Sequence, residues 1–204
     1  QERRYTKAEQ QTRRARPTTK TIGEATRVFF GHKTPSIIGV LLVASLIARA
    51  FLGAPGWGDA LMVAAVAVYW PVQEWFAHKF ILHLKPRKIL GFTLDPYFAK
   101  RHRLHHQNPS DYELVFLPPI IPPVAFAIFM GVAWLAVGDW APVMSLMASL
   151  AGAALIYEWV HFMTHADYTP SSDYFRRIWR NHRLHHYKSE HHWFSFTVPS
   201  IDTW

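Results

Sequence analysis

A chain of 204 residues is long enough for one domain with a substantial core. Half of it is apolar and it carries a formal charge of +8, with Lys and Arg set beside long apolar runs, a distribution that predicts an anionic membrane surface as partner rather than nucleic acid. It has no cysteine, which excludes disulfides and thiolate metal sites.

Residues 1–35 carry nine Lys or Arg against three Glu, including Arg13, Arg14 and Arg16 before Pro17, and read as a solvated basic arm. Phe29 and Phe30 are placed to begin a segment that leads into the membrane. The remainder, 36–204, reads as one domain with four apolar spans, at about 36–52, 58–76, 119–137 and 141–162. Each is near the ~20 residues a helix needs to cross a ~30 Å hydrocarbon layer. Gly53-Ala54-Pro55-Gly56 separates the first two as a turn, and Gly138-Asp139-Trp140 separates the last two. Pro71, Pro122 and Pro123 fall within spans, where membrane helices tolerate them.

The basic residues set the orientation. Of 22 Lys and Arg, nine precede the first span, seven lie between the second and third, and five follow the fourth. Arg49 remains, near the far end of the first span, where it is expected to snorkel. The positive-inside rule then places both termini and the central loop in the cytoplasm. The expected fold is all-α: an integral, multi-pass membrane protein with four transmembrane helices and a cytoplasmic histidine-rich helical cap.

Ten of the 13 histidines fall into two matched blocks on that cytoplasmic side. The first is His78, His83, His102, His105 and His106; the second is His161, His165, His182, His185 and His186. Each block ends in the same five letters, His-Arg-Leu-His-His, so the chain reads as a duplication of span, turn, span, histidine pair and histidine box. His161 and His165, at i and i+4, share one helix face. His78 and His83, at i and i+5, stand roughly 140° apart on an ideal helix and converge only if the helix distorts or ends there. Within each box the first histidine faces the fourth and fifth positions. The apolar stripe of Tyr174, Phe175, Ile178 and Trp179 runs on into His182, His185 and His186, which turns those rings inward.

Ten inward imidazoles crowd donors and acceptors into a small volume, at high cost unless something binds them. Metal coordination resolves this, and ten ligands imply two ions with open positions. Glu74 and Glu158, four and three residues before a histidine, are candidate acceptors for the second ring nitrogen, as are Asp111 and Asp173. His191 and His192 are candidates to line the pocket, and His32 to lie at the interface. A nitrogen-rich site without cysteine suits iron, zinc or copper. No residue beyond the ligands is expected to act in catalysis.

With these residues the chain resembles the membrane fatty acid hydroxylase / sterol desaturase superfamily of non-haem di-iron enzymes. Four boxes carry the resemblance: His-x4-His at 78–83, His-x2-His-His at 102–106, His-x3-His at 161–165 and His-x2-His-His at 182–186. Within it the chain most resembles the fatty acid 2-hydroxylases, through His105-His106-Gln107-Asn108-Pro109-Ser110-Asp111 and the run Leu114-Val115-Phe116-Leu117-Pro118-Pro119. Leu114 stands where Arg is usual in their signature. The segment from Tyr187-Lys188 to Phe194-Ser195-Phe196 is similar to theirs after the last box.

The resemblance implies two iron ions (zinc possible in purified protein), O2 as co-substrate and a lipid acyl chain hydroxylated at its 2-position. It also implies a separate electron donor, whether cytochrome b5-like, a ferredoxin or a reductase, because these residues carry no fused cytochrome b5 domain. An acyl chain would arrive from the bilayer along residues such as Trp70, Trp75, Phe76, Trp159 and Phe162, which otherwise read as a lipid-facing or packing belt. The expected membrane is the inner membrane of a bacterium or the endoplasmic reticulum of a eukaryote. A carotenoid or sterol-type hydroxylase or desaturase is the alternative enzyme, and a membrane zinc-binding protein the alternative outside enzymes.

Overall fold

The computed structural model describes residues 16–203; Arg13 and Arg14 of the basic run lie outside them. The described part of the arm is folded against the domain. Thr19 is fully buried, and its hydroxyl pairs with the Tyr112 hydroxyl at 2.9 Å and accepts the Asp167 amide. Helix α1 (Ile22–Gly31) starts at a capping box in which Thr21 and Glu24 satisfy each other's backbone amides. It buries Phe29 among Tyr112, Phe116 and Phe162. The charged letters of the arm conceal this apolar face, which recurs only at Ala25 and Phe29.

Among the described residues three helices are long and apolar enough to cross a membrane: α2 (Lys33–Ala50), α3 (Trp57–Phe76, continuing as a π-helical turn through Ala77–Leu82) and α7 (Trp140–His165). The fourth expected span is helix α6 (Ile121–Val137), whose 17 residues reach about 26 Å, short of a ~30 Å layer. It starts later than expected because Pro122 and Pro123 occupy its first turn, where missing amides cost nothing. Gly138, at φ 70°, ends α6 in the left-handed conformation, and the Asp139 side chain caps α7.

Helix α7 is the central element, packing against α2, α3 and α6. Ala148, Ala151 and Gly152 keep one of its faces small, so that Leu42 of α2 approaches closely. The outer faces are another matter: Val40, Leu61, Val68, Ile128 and Leu135 are each more than 60% exposed. Water would meet a large apolar band there, whereas lipid tails cover it at no cost. Arg49 does not snorkel. It forms a bidentate ion pair with Asp59 at 2.5 and 2.6 Å, closing the α2–α3 hairpin, and Ser145 of α7 donates to the same carboxylate.

Beyond the apolar ends lies a cap of α4 (Tyr97–Gln107), α5 (Tyr112–Val115), α8 (Asp173–Tyr187) and a closing 3-10 turn (Pro199–Thr203). The described residues are mostly helical, as expected, with one small antiparallel hairpin of β1 (Arg87–Ile89) and β2 (Phe92–Leu94) added beside the cap. Leu90 and Gly91, both at positive φ, form its two-residue turn.

Candidate metal centre

The π turn at the end of α3 answers the awkward spacing of the first histidine pair. Its wider i→i+5 pitch brings His78 and His83, five residues apart, to the same side, with ring centroids 5.3 Å apart. On α7 an ordinary helix does the same for His161 and His165, four apart, at 5.1 Å. One added residue in the first block is thus absorbed by one local change of pitch.

Ten of the described histidines assemble into two groups, His78–His83–His102–His106–His185 and His105–His161–His165–His182–His186. In each group one ring nitrogen per residue lies within 4.8 Å of all the others. The division does not follow the sequence blocks: His105 has joined the second group and His185 the first. Helix geometry explains the exchange. At 100° per residue, the first and fifth positions of a box lie 40° apart, while the fourth lies 60° away on the other side. Where α4 and α8 meet through their histidine rings, each fourth-position ring faces the partner group. The seam is marked by His106 and His186, stacked at 4.3 Å.

The spacing inside the groups suits a shared cation and not a hydrogen-bond network. His102 Nε2 has the Nε2 atoms of His78, His83 and His106 at 3.2, 3.2 and 3.1 Å, and His83 Nε2 is 3.1 Å from His185 Nε2. An imidazole nitrogen makes one hydrogen bond as donor or as acceptor, so three such neighbours cannot all be hydrogen-bonded. Metal–nitrogen bonds of ~2.1 Å at right angles place donors about 3.0 Å apart, close to these values. In the second group His165 and His182 approach at 2.7 Å, and both ring nitrogens of His105 and His186 are buried without a partner. Such orphaned nitrogens are costly unless a ligand takes them up. The residues therefore fit a metal ion in each group.

Burial also holds the rings in their binding form. Loss of solvent, then repulsion from neighbouring imidazoles, keeps His102, His105, His182 and His186 well below the usual histidine range. Desolvation likewise pushes His83 and His185 down to about 4. All six are neutral at pH 7, with lone pairs free for a cation.

The acceptors that orient these rings are backbone carbonyls. His78 Nδ1 lies 2.6 Å from the Phe194 carbonyl and His185 Nδ1 2.7 Å from that of His192, so each ring donates there and turns Nε2 inward. The carbonyls are held by the tail. Glu74 accepts from the Phe196 and Thr197 amides and the Ser195 and Thr197 hydroxyls, and Asp202 from the Phe194 and Ser195 amides. Glu74 thus anchors the segment that orients the histidines without touching a histidine itself. Glu158 is fully buried and accepts the Leu117 amide at 3.1 Å. Asp111 caps α5, and Asp173, at the exposed start of α8, pairs with Arg176. His191 is exposed, and His192 contributes its carbonyl while its ring turns to Ser189. His32 packs at a tilt against Phe116 and faces Glu113.

Phe196, Asp202 and Trp193 emerge only in three dimensions. Phe196 is buried between the groups, with ring centroids 5.2 Å from His78, 4.7 Å from His161 and 4.8 Å from His182. The resemblance after the last box covered Phe196 but gave it no role; nothing in the spacing marks Asp202 or Trp193. Arg103 of the first box ties the preceding loop down through the Leu84 carbonyl and Asp95. Arg183 of the second box is exposed.

Two cavities approach the centre. An apolar one of about 220 Å³ lies between α2, α3, α6 and α7, lined by Ile38, Trp70, Phe126, Met147 and Leu150 among others. From it Trp70 leads to Tyr157 at 6.4 Å, and Tyr157 to Phe196 at 5.3 Å. A polar one of about 330 Å³ opens beside His165, His182 and His186, with Arg16, Arg183 and Tyr187 in its wall. Of the five aromatics expected along an acyl route, Trp70 lines the apolar cavity. Phe76 is exposed, Trp75 lies under Lys79, and Trp159 and Phe162 pack in the core with Phe29.

Apolar helices capped by two clusters of buried histidines define a helical membrane protein whose cap could hold metal ions. The chain belongs to the fatty acid hydroxylase family, whose profile matches residues 63–204. It is 27% identical over 169 residues to the dihydroceramide fatty acyl 2-hydroxylase FAH2 of Arabidopsis thaliana, covering 80% of this chain and 66% of that protein. It is 23% identical over 133 residues to the fatty acid 2-hydroxylase of Rattus norvegicus, and 26% identical over 137 residues to that of Homo sapiens. These two matches cover 65% of this chain and 35% of each relative, so the chain spans about a third of the length of the mammalian proteins it matches. No solved structure matches the chain.

Proposed function

We propose that the chain is a membrane hydroxylase that inserts one oxygen atom of O2 into a C–H bond of a lipid acyl chain, at the 2-position. Two iron ions, one in each histidine group, would serve it, with electrons from a separate carrier protein. The overall reaction joins R–H, O2, two electrons and two protons to give R–OH and water. Iron, when bound, would supply the redox chemistry that activates O2, and the five histidines of each group would hold it.

The observation that carries this reading is the convergence of ten imidazoles on two points, in a chain of the fatty acid hydroxylase family. The protein's own part is to hold, orient and exclude. The Phe194 and His192 carbonyls fix two ring tautomers, and Phe196 closes the space between the groups against water. The apolar cavity has the chemistry to take an acyl tail from the bilayer. The polar cavity on the other side of the histidines has the chemistry to take the polar end. This arrangement favours attack near the carboxyl end of the chain. The Lys and Arg asymmetry supports placing the histidine cap and both ends of the chain in the cytoplasm.

Lipid analysis of cells with and without the gene tests the proposal. The expected result is a gain of one oxygen on acyl chains, lost at least about a hundredfold in His105→Ala while the protein still inserts in the membrane. No gain, or a gain on carotenoids or sterols alone, sinks the acyl-hydroxylase reading.

A further inference from the structure

Trp193 stands at φ 61°, in the left-handed region, where a residue with a Cβ is strained. It is flanked by the two carbonyls that orient the first histidine group: His192 O receives His185 Nδ1 and Phe194 O receives His78 Nδ1. One surface residue thus connects by short covalent and hydrogen-bonded steps to two candidate ligands of one ion. Its half-buried ring borders a surface cavity of about 360 Å³, together with Arg177, Arg180 and Asp202. Lys188 Nζ lies 5.9 Å from the same ring.

The charge of this surface is positive and available. Arg177 and Arg180 are exposed, and among the described residues no ion pair takes up either. Asp202 turns its carboxylate to the Phe194 and Ser195 amides, and Glu190 is the other acidic group of the segment. This cavity shares no residue with the apolar cavity between the helices, so a protein docked at Trp193 leaves the acyl route clear.

We propose that Trp193, framed by Arg177, Arg180 and Lys188, is the docking point of an acidic one-electron carrier protein, and that its electrons pass through Trp193 to the His78–His83–His102–His106–His185 group. The inference rests on the hydroxylase reading, which consumes two electrons and two protons per O2. Two reduced carriers dock in turn, each giving up one electron and leaving oxidised. A basic face could equally attract anionic lipid, but lipid has no use for a strained residue joined to two histidines. Charge complementarity of this kind steers encounter and is screened by salt.

The test uses the iron-loaded chain in nanodiscs, with the soluble haem domain of cytochrome b5 and a plant-type [2Fe–2S] ferredoxin as acidic probes. At least one probe is expected to bind, and to bind more weakly as salt is raised. The double variant Arg177→Glu/Arg180→Glu is expected to weaken that binding about tenfold or more and to slow oxidation of the reduced probe to the same degree. Product formed after chemical reduction with dithionite is expected to be unchanged in the variant. Wild-type affinity and oxidation rate in the variant overturn the docking surface, as does binding of neither probe to the wild type. So does a variant whose only loss is stabilisation by phosphatidylglycerol, which assigns the face to lipid. A wild-type chain that forms no product after dithionite instead overturns the hydroxylase reading, and the binding result stands apart from it.

Discussion

At the scale of single residues, the division of labour among the histidines runs across the sequence blocks. Their inward orientation was legible from spacing, because a box on a helix has only one way to face a core. The exchange of His105 and His185 was not, since spacing fixes angles within a helix and says nothing of how α4 and α8 face each other. It predicts that His185→Ala, loaded with metal in excess, empties the group built from the first block, lowering metal content from near two ions toward one and leaving His105–His161–His165–His182–His186 loaded. Metal analysis of the variant checks this; loss from the other group contradicts it. The buried rings also set a pH dependence. Their folded-state values are depressed, to about 4 for His83 and His185, against an unfolded value of about 6.5. Below pH 6.5 the unfolded chain takes up protons that the folded chain refuses, so stability falls from there toward pH 4. Metal-free protein is expected to unfold at a lower temperature at pH 5.5 than at pH 7.5, as thermal melts would show.

Among the elements, the π turn at Ala77–Leu82 does work that the second block leaves to an α-helix. Its need was legible in the 140° mismatch of His78 and His83, though not the form the distortion would take. Deletion of Ile81 leaves the two histidines four apart and is expected to relax the turn to a regular helix with metal binding retained. Deletion of Met163 leaves His161 and His165 three apart, with no wider turn to absorb the change, and is expected to abolish loading of its group. The tail was the least legible element, because its contacts are backbone amides and carbonyls that any sequence carries. Glu74→Ala strands several buried donors at about 1–3 kcal/mol each and releases the segment bearing Phe194. A lower melting temperature and weaker metal retention are expected together; a fall in melting temperature alone would reduce Glu74 to a packing role. The short hairpin and the short α6 escaped sequence reading for a simpler reason. Neither a Leu90-Gly91 turn nor a proline pair in a first helical turn interrupts hydropathy.

For the molecule as a whole, the duplication in the sequence survives as two helical hairpins, α2–α3 and α6–α7, each followed by a helix of the cap. Its consequence follows from the crossed donors. Because each group borrows one ring from the other hairpin's cap helix, the halves are interlocked and neither can complete its own five nitrogens. Filling one group fixes α4 and α8 against each other, which also places the borrowed ring of its neighbour, so the first ion lowers the ordering cost for the second. Linkage would make this mutual, and the two sites are expected to fill cooperatively. A sub-stoichiometric metal titration should therefore yield a mixture of empty and doubly loaded chains, with the singly loaded form scarce.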